Sequence, residues 1–167
     1  MRLFIAYLSY TENMKNEFSN EIDIHQVLGE QNTFRYLAIK NIVFRILPED
    51  SLIDCFLIIL AANTANSKLT ISIEQSDIKL VAIKKVMDSD SKILIQGDID
   101  FLKEIPKHNR IRVCSKNIPV SYFTEAAKTG KYIATEKPIT EGRLELLHYL
   151  KEQSIAFEYH RYGSINI

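Results

Sequence analysis

The sequence predicts an α/β fold whose body is a mostly parallel five-stranded sheet with helices on both faces, ending in an extended C-terminal tail. Three observations carry that prediction. Apolar periodicity switches repeatedly between short extended runs and longer helical ones, the pattern of alternating strands and helices. Single helices separate the successive strands, so right-handed crossovers make those strands parallel. The length, 167 residues with 46% hydrophobic content, matches one ordinary globular domain with its own core. Together these describe a doubly wound, Rossmann-like architecture.

Each element has its own warrant. "NIVFRIL" (41–47) is β-branched and apolar, and "EDSLIDCFLIILAANTA" (49–65) follows it with acidic residues in the first turn, where a helix N-terminus favours them. "KLTISIE" (68–74) is the second strand and "SDIKLVAIKKVMDS" (76–89) the second helix. Ser76 is its expected N-cap, and Ile78, Val81, Ala82 and Val86 its expected buried stripe. "SKILIQG" (91–97) supplies a third strand, "DIDFLKEI" (98–105) a short helix and "NRIRVCS" (109–115) a fourth strand. "PVSYFTEAAKT" (119–129) opens on a proline suited to a first turn and stops at Gly130; "KYIATE" (131–136) is the fifth strand.

Composition excludes several classes of function. Lysine plus arginine equal aspartate plus glutamate at 21 each, interspersed along the chain, so the usual electrostatic footprint of nucleic-acid binding is missing. The longest apolar run, "CFLIILAA" (55–62), is too short to cross a bilayer. The apolar start "MRLFIAYLSY" has no sustained hydrophobic region or cleavage site, so no secretory signal is expected and a cytoplasmic location is. Cys55 and Cys114 lack metal-ligand spacing and read as buried free thiols. The four histidines, His25, His108, His148 and His160, are scattered, and His148 reads as a packing residue.

The fold class invites a dinucleotide, but no GxGxxG follows any strand, and Walker A and GxSxG motifs are missing as well. The turn after the first strand of the sheet reads "ILPEDS", whose two carboxylates would repel a pyrophosphate on the next helix. No catalytic, cofactor-binding or metal-binding residue is therefore expected in this chain.

The two ends hold the more specific signal. "LGEQNTFRYLAIKNIVFRI" (28–46) resembles the entry into the cofactor domain of aldehyde dehydrogenases, and "FLIILAANTANSKLTIS" looks like a degraded copy of the helix and strand that follow it there. "GRLELLHYLKEQSIAFEYHRYG" (142–163) is similar to the C-terminal motif of long bacterial proline utilization A proteins. In that family a flavin-dependent proline dehydrogenase and an NAD-dependent glutamate-semialdehyde dehydrogenase share one chain, and some members carry an extra C-terminal domain of aldehyde dehydrogenase-like fold. The resemblance implies the accessory domain alone, a bacterial, cytoplasmic piece of the oxidoreductase, either separately encoded or a fragment of a split frame. NAD and FAD would belong to the parent enzyme, with no cofactor on this chain, and its partners would be the proline dehydrogenase and aldehyde dehydrogenase domains in cis or in trans. Three segments follow: an extension over 1–27, a Rossmann-like, aldehyde dehydrogenase-related domain over 28–140, and a C-terminal helix with tail over 141–167.

The terminal segment can also be read physically. "GRLELLHYLKEQS" is expected to be an amphipathic helix docked by Leu144, Leu147 and Leu150, with Glu145, Lys151 and Glu152 facing outward. "SIAFEYHRYG" alternates Ile155, Phe157 and Tyr159 with Ala156, Glu158 and His160, as an extended segment that seeks a partner edge. Tyrosine and arginine are enriched at interfaces, which favours an interface role for this tail over local capping or chemistry. The family motif assigns that interface to Arg143, Glu145, Gln153, Ser154, Tyr159, His160, Arg161, Tyr162 and Gly163. The expected function is a non-catalytic accessory domain that covers or stabilises the dehydrogenase; the alternative is a small independent NAD(P)- or nucleotide-binding oxidoreductase.

Overall fold

The computed structural model describes residues 1–23, 30–87 and 92–158. Its centre is a parallel sheet of β3 (Ile42–Arg45), β4 (Leu69–Ile73), β5 (Lys92–Ile95), β6 (Arg110–Arg112) and β7 (Tyr132–Ala134), in the order β5-β4-β3-β6-β7. All four neighbouring pairs are parallel, which confirms the expected five-stranded sheet. Every residue of β3 and β4 is buried, as the middle strands of a sheet covered on both faces must be.

The crossover helices are α2 (Leu52–Thr64), α3 (Lys79–Val86), α4 (Asp98–Glu104) and α5 (Val120–Lys128). Helix α2 is apolar nearly all round because it is buried: Cys55, Leu57, Ile58, Ile59, Ala61 and Ala62 lie inside, and the Ser51 side chain caps it by accepting the Asp54 N–H at 3.1 Å. Two cores result. Ile42 and Phe44 point into one with α2, Leu80 and Ile83; Val43 and Leu47 point into the other with Phe101, Tyr122 and Ala126. Helices therefore cover both faces. Gly130, at φ 63°, follows α5 as expected.

The buried stripe of α3 differs from the expected one. Ile78 is 89% exposed, Val81 and Val86 are also exposed, and Leu80 and Ile83 are the inward residues. The local reason is polar: Asp77, not Ser76, accepts the Lys79 N–H at 2.9 Å, and Lys79 turns inward to the Pro48 carbonyl at 2.9 Å. That rotation sets the helix phase. Apolar spacing pointed to one stripe, and these contacts turn Leu80 and Ile83 inward in its place.

A second, antiparallel sheet stands beside the body. It joins β1 (Ile22–Asp23), β2 (Glu30–Ala38) and β8 (Leu150–Glu158) in the order β1-β2-β8. β2 and β8 pair over nine residues, from Glu30 opposite Glu158 to Ala38 opposite Leu150. "GEQNTFRYLAI" is thus extended and outside the parallel sheet from Glu30 onward, as its alternation predicts.

The expected long C-terminal helix is corrected. Only α6 (Gly142–Glu145) and a 3-10 turn (Leu146–His148) are helical, and the chain is already in β8 at Leu150. Leu144 and Leu147 are exposed while Glu145 is 1% exposed, the reverse of the expected faces. Leu146 and Tyr149 fill the core, and the extended pairing with β2 satisfies Lys151 to Glu158, so tertiary partners override the helical spacing.

Residues 1–27, expected as an extension, begin with α1 (Arg2–Asn13), followed by a wider turn, Met14–Phe18. Ala6, Tyr10 and Phe18 are buried in the main core, and the Gly142 N–H donates to Ser9 Oγ at 2.9 Å. The segment is bound into the body it precedes.

Candidate functional site

In a doubly wound sheet ligands bind where the strand order reverses, outside the carboxyl ends of the strands. Here the chain builds β3, β4 and β5 outward and then returns to place β6 on the other side of β3, so the reversal lies between β3 and β6. A cleft of about 320 Å³ opens there, bordered by Asp50, Asp54, Cys114, Ser115 and Lys137.

Its floor is already occupied by side chains of the protein. Asp50 Oδ2 accepts the Leu47 N–H at 2.9 Å, and its other oxygen accepts the Ser115 hydroxyl. Asp54 accepts Arg2 Nη1 at 2.9 Å, and Ser51 takes the first free donor of α2. Two carboxylates thus meet the positive end of α2, the place a pyrophosphate would need.

The thiols nearby are unsuited to nucleophilic attack. Burial pushes the Cys55 thiol up to about 12, with the Asp50 charge adding. Burial and Asp50 raise Cys114 further. A thiol held protonated is a weak nucleophile. Both are free and buried, as their sequence context predicts.

The sequence reading missed the polar cluster beside this cleft. Arg45, fully buried at the end of β3, donates through Nη1 to Gln96 O at 2.8 Å and Ser72 Oγ at 3.1 Å, and through Nη2 to Asp98 at 2.7 Å and Glu74 at 3.4 Å. The guanidinium also lies 5.3 Å from the Phe101 ring centre. Its signal was present in the sequence: an arginine inside an apolar strand, with Glu74 and Asp98 just past the ends of the next two strands. The cluster satisfies itself and closes the carboxyl edge of the sheet.

The nine residues expected at an interface fall in three places. Arg143 is exposed and pairs with Glu17 at 3.0 Å. Glu145 is buried, 3.4 Å from Arg112, so its expected outward role is corrected. Gln153 accepts Arg35 Nε at 2.7 Å across the β2–β8 pair, and Ser154 is exposed opposite Phe34. Tyr159, His160, Arg161, Tyr162 and Gly163 lie outside the described residues. What the structure brings together is the strand itself: β8 is marginal in its sheet, its outer edge has no paired strand among the described residues, and Phe157 at its end is 53% exposed.

Among the described residues no cluster of three or more His, Cys, Asp or Glu side chains could hold a metal ion. No helix among them is long and apolar enough to cross a membrane. No protein-family model and no curated protein sequence matches this chain. Solved structures do. Proline utilization A from Corynebacterium freiburgense superposes with a TM-score of 0.67 and 23% identity over 98% of this chain and 14% of that one. Proline utilization A from Bdellovibrio bacteriovorus, inactivated by N-propargylglycine, gives 0.58 and 14% over 80% of this chain and 16% of that one. An aldehyde dehydrogenase from Brucella melitensis gives 0.52 and 11% over 78% and 29%. The fold is the one these proteins share over the matched stretch, and this chain spans about a seventh of the first of them.

Proposed function

We propose that this chain is a non-catalytic accessory domain of the bifunctional enzyme that oxidises proline to glutamate through pyrroline-5-carboxylate, covering or stabilising its NAD-dependent dehydrogenase domain. The observation that carries this reading is the extent of the match: 98% of this chain, from α1 through both sheets to β8, corresponds to one section of a proline utilization A chain. The motif-like ends of the sequence point the same way. So does the outer edge of β8, which has no paired strand among the described residues, since such an edge is a template for a strand or loop of a partner.

The switch-point cleft favours an inert role over the alternative of an independent NAD(P)-dependent oxidoreductase. Its helix N-terminus is met by Asp50 and Asp54, and the two thiols that could attack an aldehyde are held protonated.

The test pairs two measurements on the purified chain. Titration calorimetry with NAD up to millimolar concentration is expected to give no saturable heat, and glutamate semialdehyde with NAD no turnover above a blank. A pull-down against separately expressed dehydrogenase domain is expected to retain the chain, and deletion of residues 157–167 to abolish retention while lowering stability by only about 1 kcal/mol. A saturable NAD isotherm or measurable turnover would establish the independent enzyme instead. A large fall in melting temperature with binding unchanged would show the tail to be core structure.

A further inference from the structure

The cations of the sequence recur at one edge of the sheet. Because the five central strands are parallel, all their amino ends share one edge, and each carries a cation: Lys92 on β5, Lys68 before β4, Lys40 before β3, Lys107 and Arg110 at β6, and Lys131 before β7. Neighbouring strands lie about 4.8 Å apart, so these groups share one edge, where Glu104 at the end of α4 pairs with Lys107 at 2.7 Å. The opposite edge holds Asp50, Asp54, Glu74, Asp77 and Asp98 together with Arg2, Arg45, Lys79 and Lys137.

The amino edge deepens into a cleft at one place. Where the end of β2 and the start of β8 meet the amino end of β6, Leu37, Ala38, Ile39, Lys40, Asn109, Arg110 and Lys151 border an open space of about 680 Å³. Arg110 is partly buried there. Its Nη1 donates to the carbonyls of Leu147 at 3.0 Å and His148 at 2.7 Å, and its guanidinium lies 5.4 Å from the Tyr132 ring centre. Those contacts fix the group with its charge uncompensated: among the described residues no carboxylate pairs with Arg110, Lys40 or Lys151. A partly desolvated arginine normally has an anion beside it, because burial disfavours an unpaired charge. Carbonyl oxygens and a ring face supply only part of that compensation.

We propose that this cleft binds a small organic anion bearing carboxylate or phosphate groups, its charged head held by Arg110, Lys40 and Lys151 and its apolar part against Leu37 and Ile39. The site is distinct from the strand edge of the proposed function and lies at the opposite end of the sheet from the switch point. A cleft lined by one sign of charge concentrates counter-ions, and a fixed guanidinium presents forked donors to either head group. The backbone shapes the opening: Asn41 adopts φ 71°, turning the chain from β2 into β3, and its side chain donates to Lys107 O.

The experiment follows backbone amide shifts of the full chain by NMR as citrate or inorganic phosphate is added at 50 and 300 mM salt. Saturable shifts confined to residues 37–41, 109–111 and 147–152 are expected, weaker at the higher salt. The double variant Lys40→Glu/Lys151→Glu, at exposed positions, is expected to weaken binding at least tenfold. Lys84→Glu/Lys85→Glu on α3 makes the same charge change elsewhere and is expected to alter it less than twofold. Saturation by citrate alone or phosphate alone supports the site and identifies its head group. Linear, dispersed shifts with both, or equal losses in the two double variants, overturn it. Binding of a polyglutamate peptide with no response to either small anion also overturns it, and makes the basic edge a protein-docking face.

Discussion

Arg45 and Asp98 meet at 2.7 Å across the carboxyl edge of the parallel sheet, one the last residue of β3 and fully buried, the other the first residue of α4 and half exposed. The Tyr122 hydroxyl also donates to Asp98 and accepts Arg45 Nε at 3.3 Å, so three elements are tied at one point. The pair sits where many folds of this class open to a ligand, and here it is spent on closing the sheet.

Replacing Arg45 with methionine removes five donor contacts and leaves Ser72, Gln96 and Asp98 without that partner. A loss of about 3 kcal/mol is expected in chemical denaturation. The pH dependence of Asp98→Asn follows by linkage. Burial raises the acid, but the Tyr122 hydroxyl and Arg45 outweigh it and hold the Asp98 carboxyl below its ordinary range. A depressed carboxyl contributes stability above its unfolded value that is lost as pH falls through the folded one. Melting of Asp98→Asn is therefore expected to be lower than wild type at pH 7 and to converge with it below about pH 4.

Glu145 accepts the Ile139 N–H at 3.0 Å and the Tyr149 hydroxyl at 3.1 Å, and lies 3.4 Å from Arg112. Both members of the ion pair are buried. Glu145→Ala leaves an unpaired buried guanidinium and is expected to cost about 3 to 5 kcal/mol, readable as a lowered denaturation midpoint. Arg143→Ala, two residues away and exposed, is expected to cost less than about 1 kcal/mol.

A Cβ at Gly142 would lie 2.5 Å from Ser9 O and 2.9 Å from Tyr10 Cα. Both are backbone atoms of α1, which cannot rotate aside. Gly142→Ala is expected to shift α1 and lower stability by about 1 to 3 kcal/mol. Amide exchange in residues 2–13 should rise with it, whereas Gly130→Ala, which has open space but φ 63°, should act locally on the turn after α5.

His148 is pushed down to about 4, by burial first, with Arg112 and Arg110 adding and Glu136 opposing. A depressed histidine favours the neutral form in the folded state, so stability is present above the unfolded value of 6.5 and lost as pH falls toward the folded value. Between those limits the wild type is expected to lose roughly 2 to 3 kcal/mol through this group. Melting curves of His148→Gln over pH 4 to 7 should show a shallower acid slope.

The alternation of strands and helices was legible in the sequence because both periods are local: β-branched runs such as "NIVFRIL" and the acidic first turn of "EDSLIDCFLIILAANTA" act within a few residues of themselves. The parallel sheet follows from connection length and handedness, and the extended nature of "NTFRYLA" from its alternation. Three features came only from tertiary structure. The leucines at 144, 147 and 150 fit a helix as well as anything else, and Tyr149 in the core and β2 at the edge decided for a strand. The stripe of α3 was set by Lys79 reaching Pro48, a contact 31 residues away in the chain. The candidate sites were hidden for the same reason: Arg45 with Asp98, and Arg110 with Lys40 and Lys151, are far apart in sequence, and a net charge of zero conceals cations that only parallel strands bring to one edge.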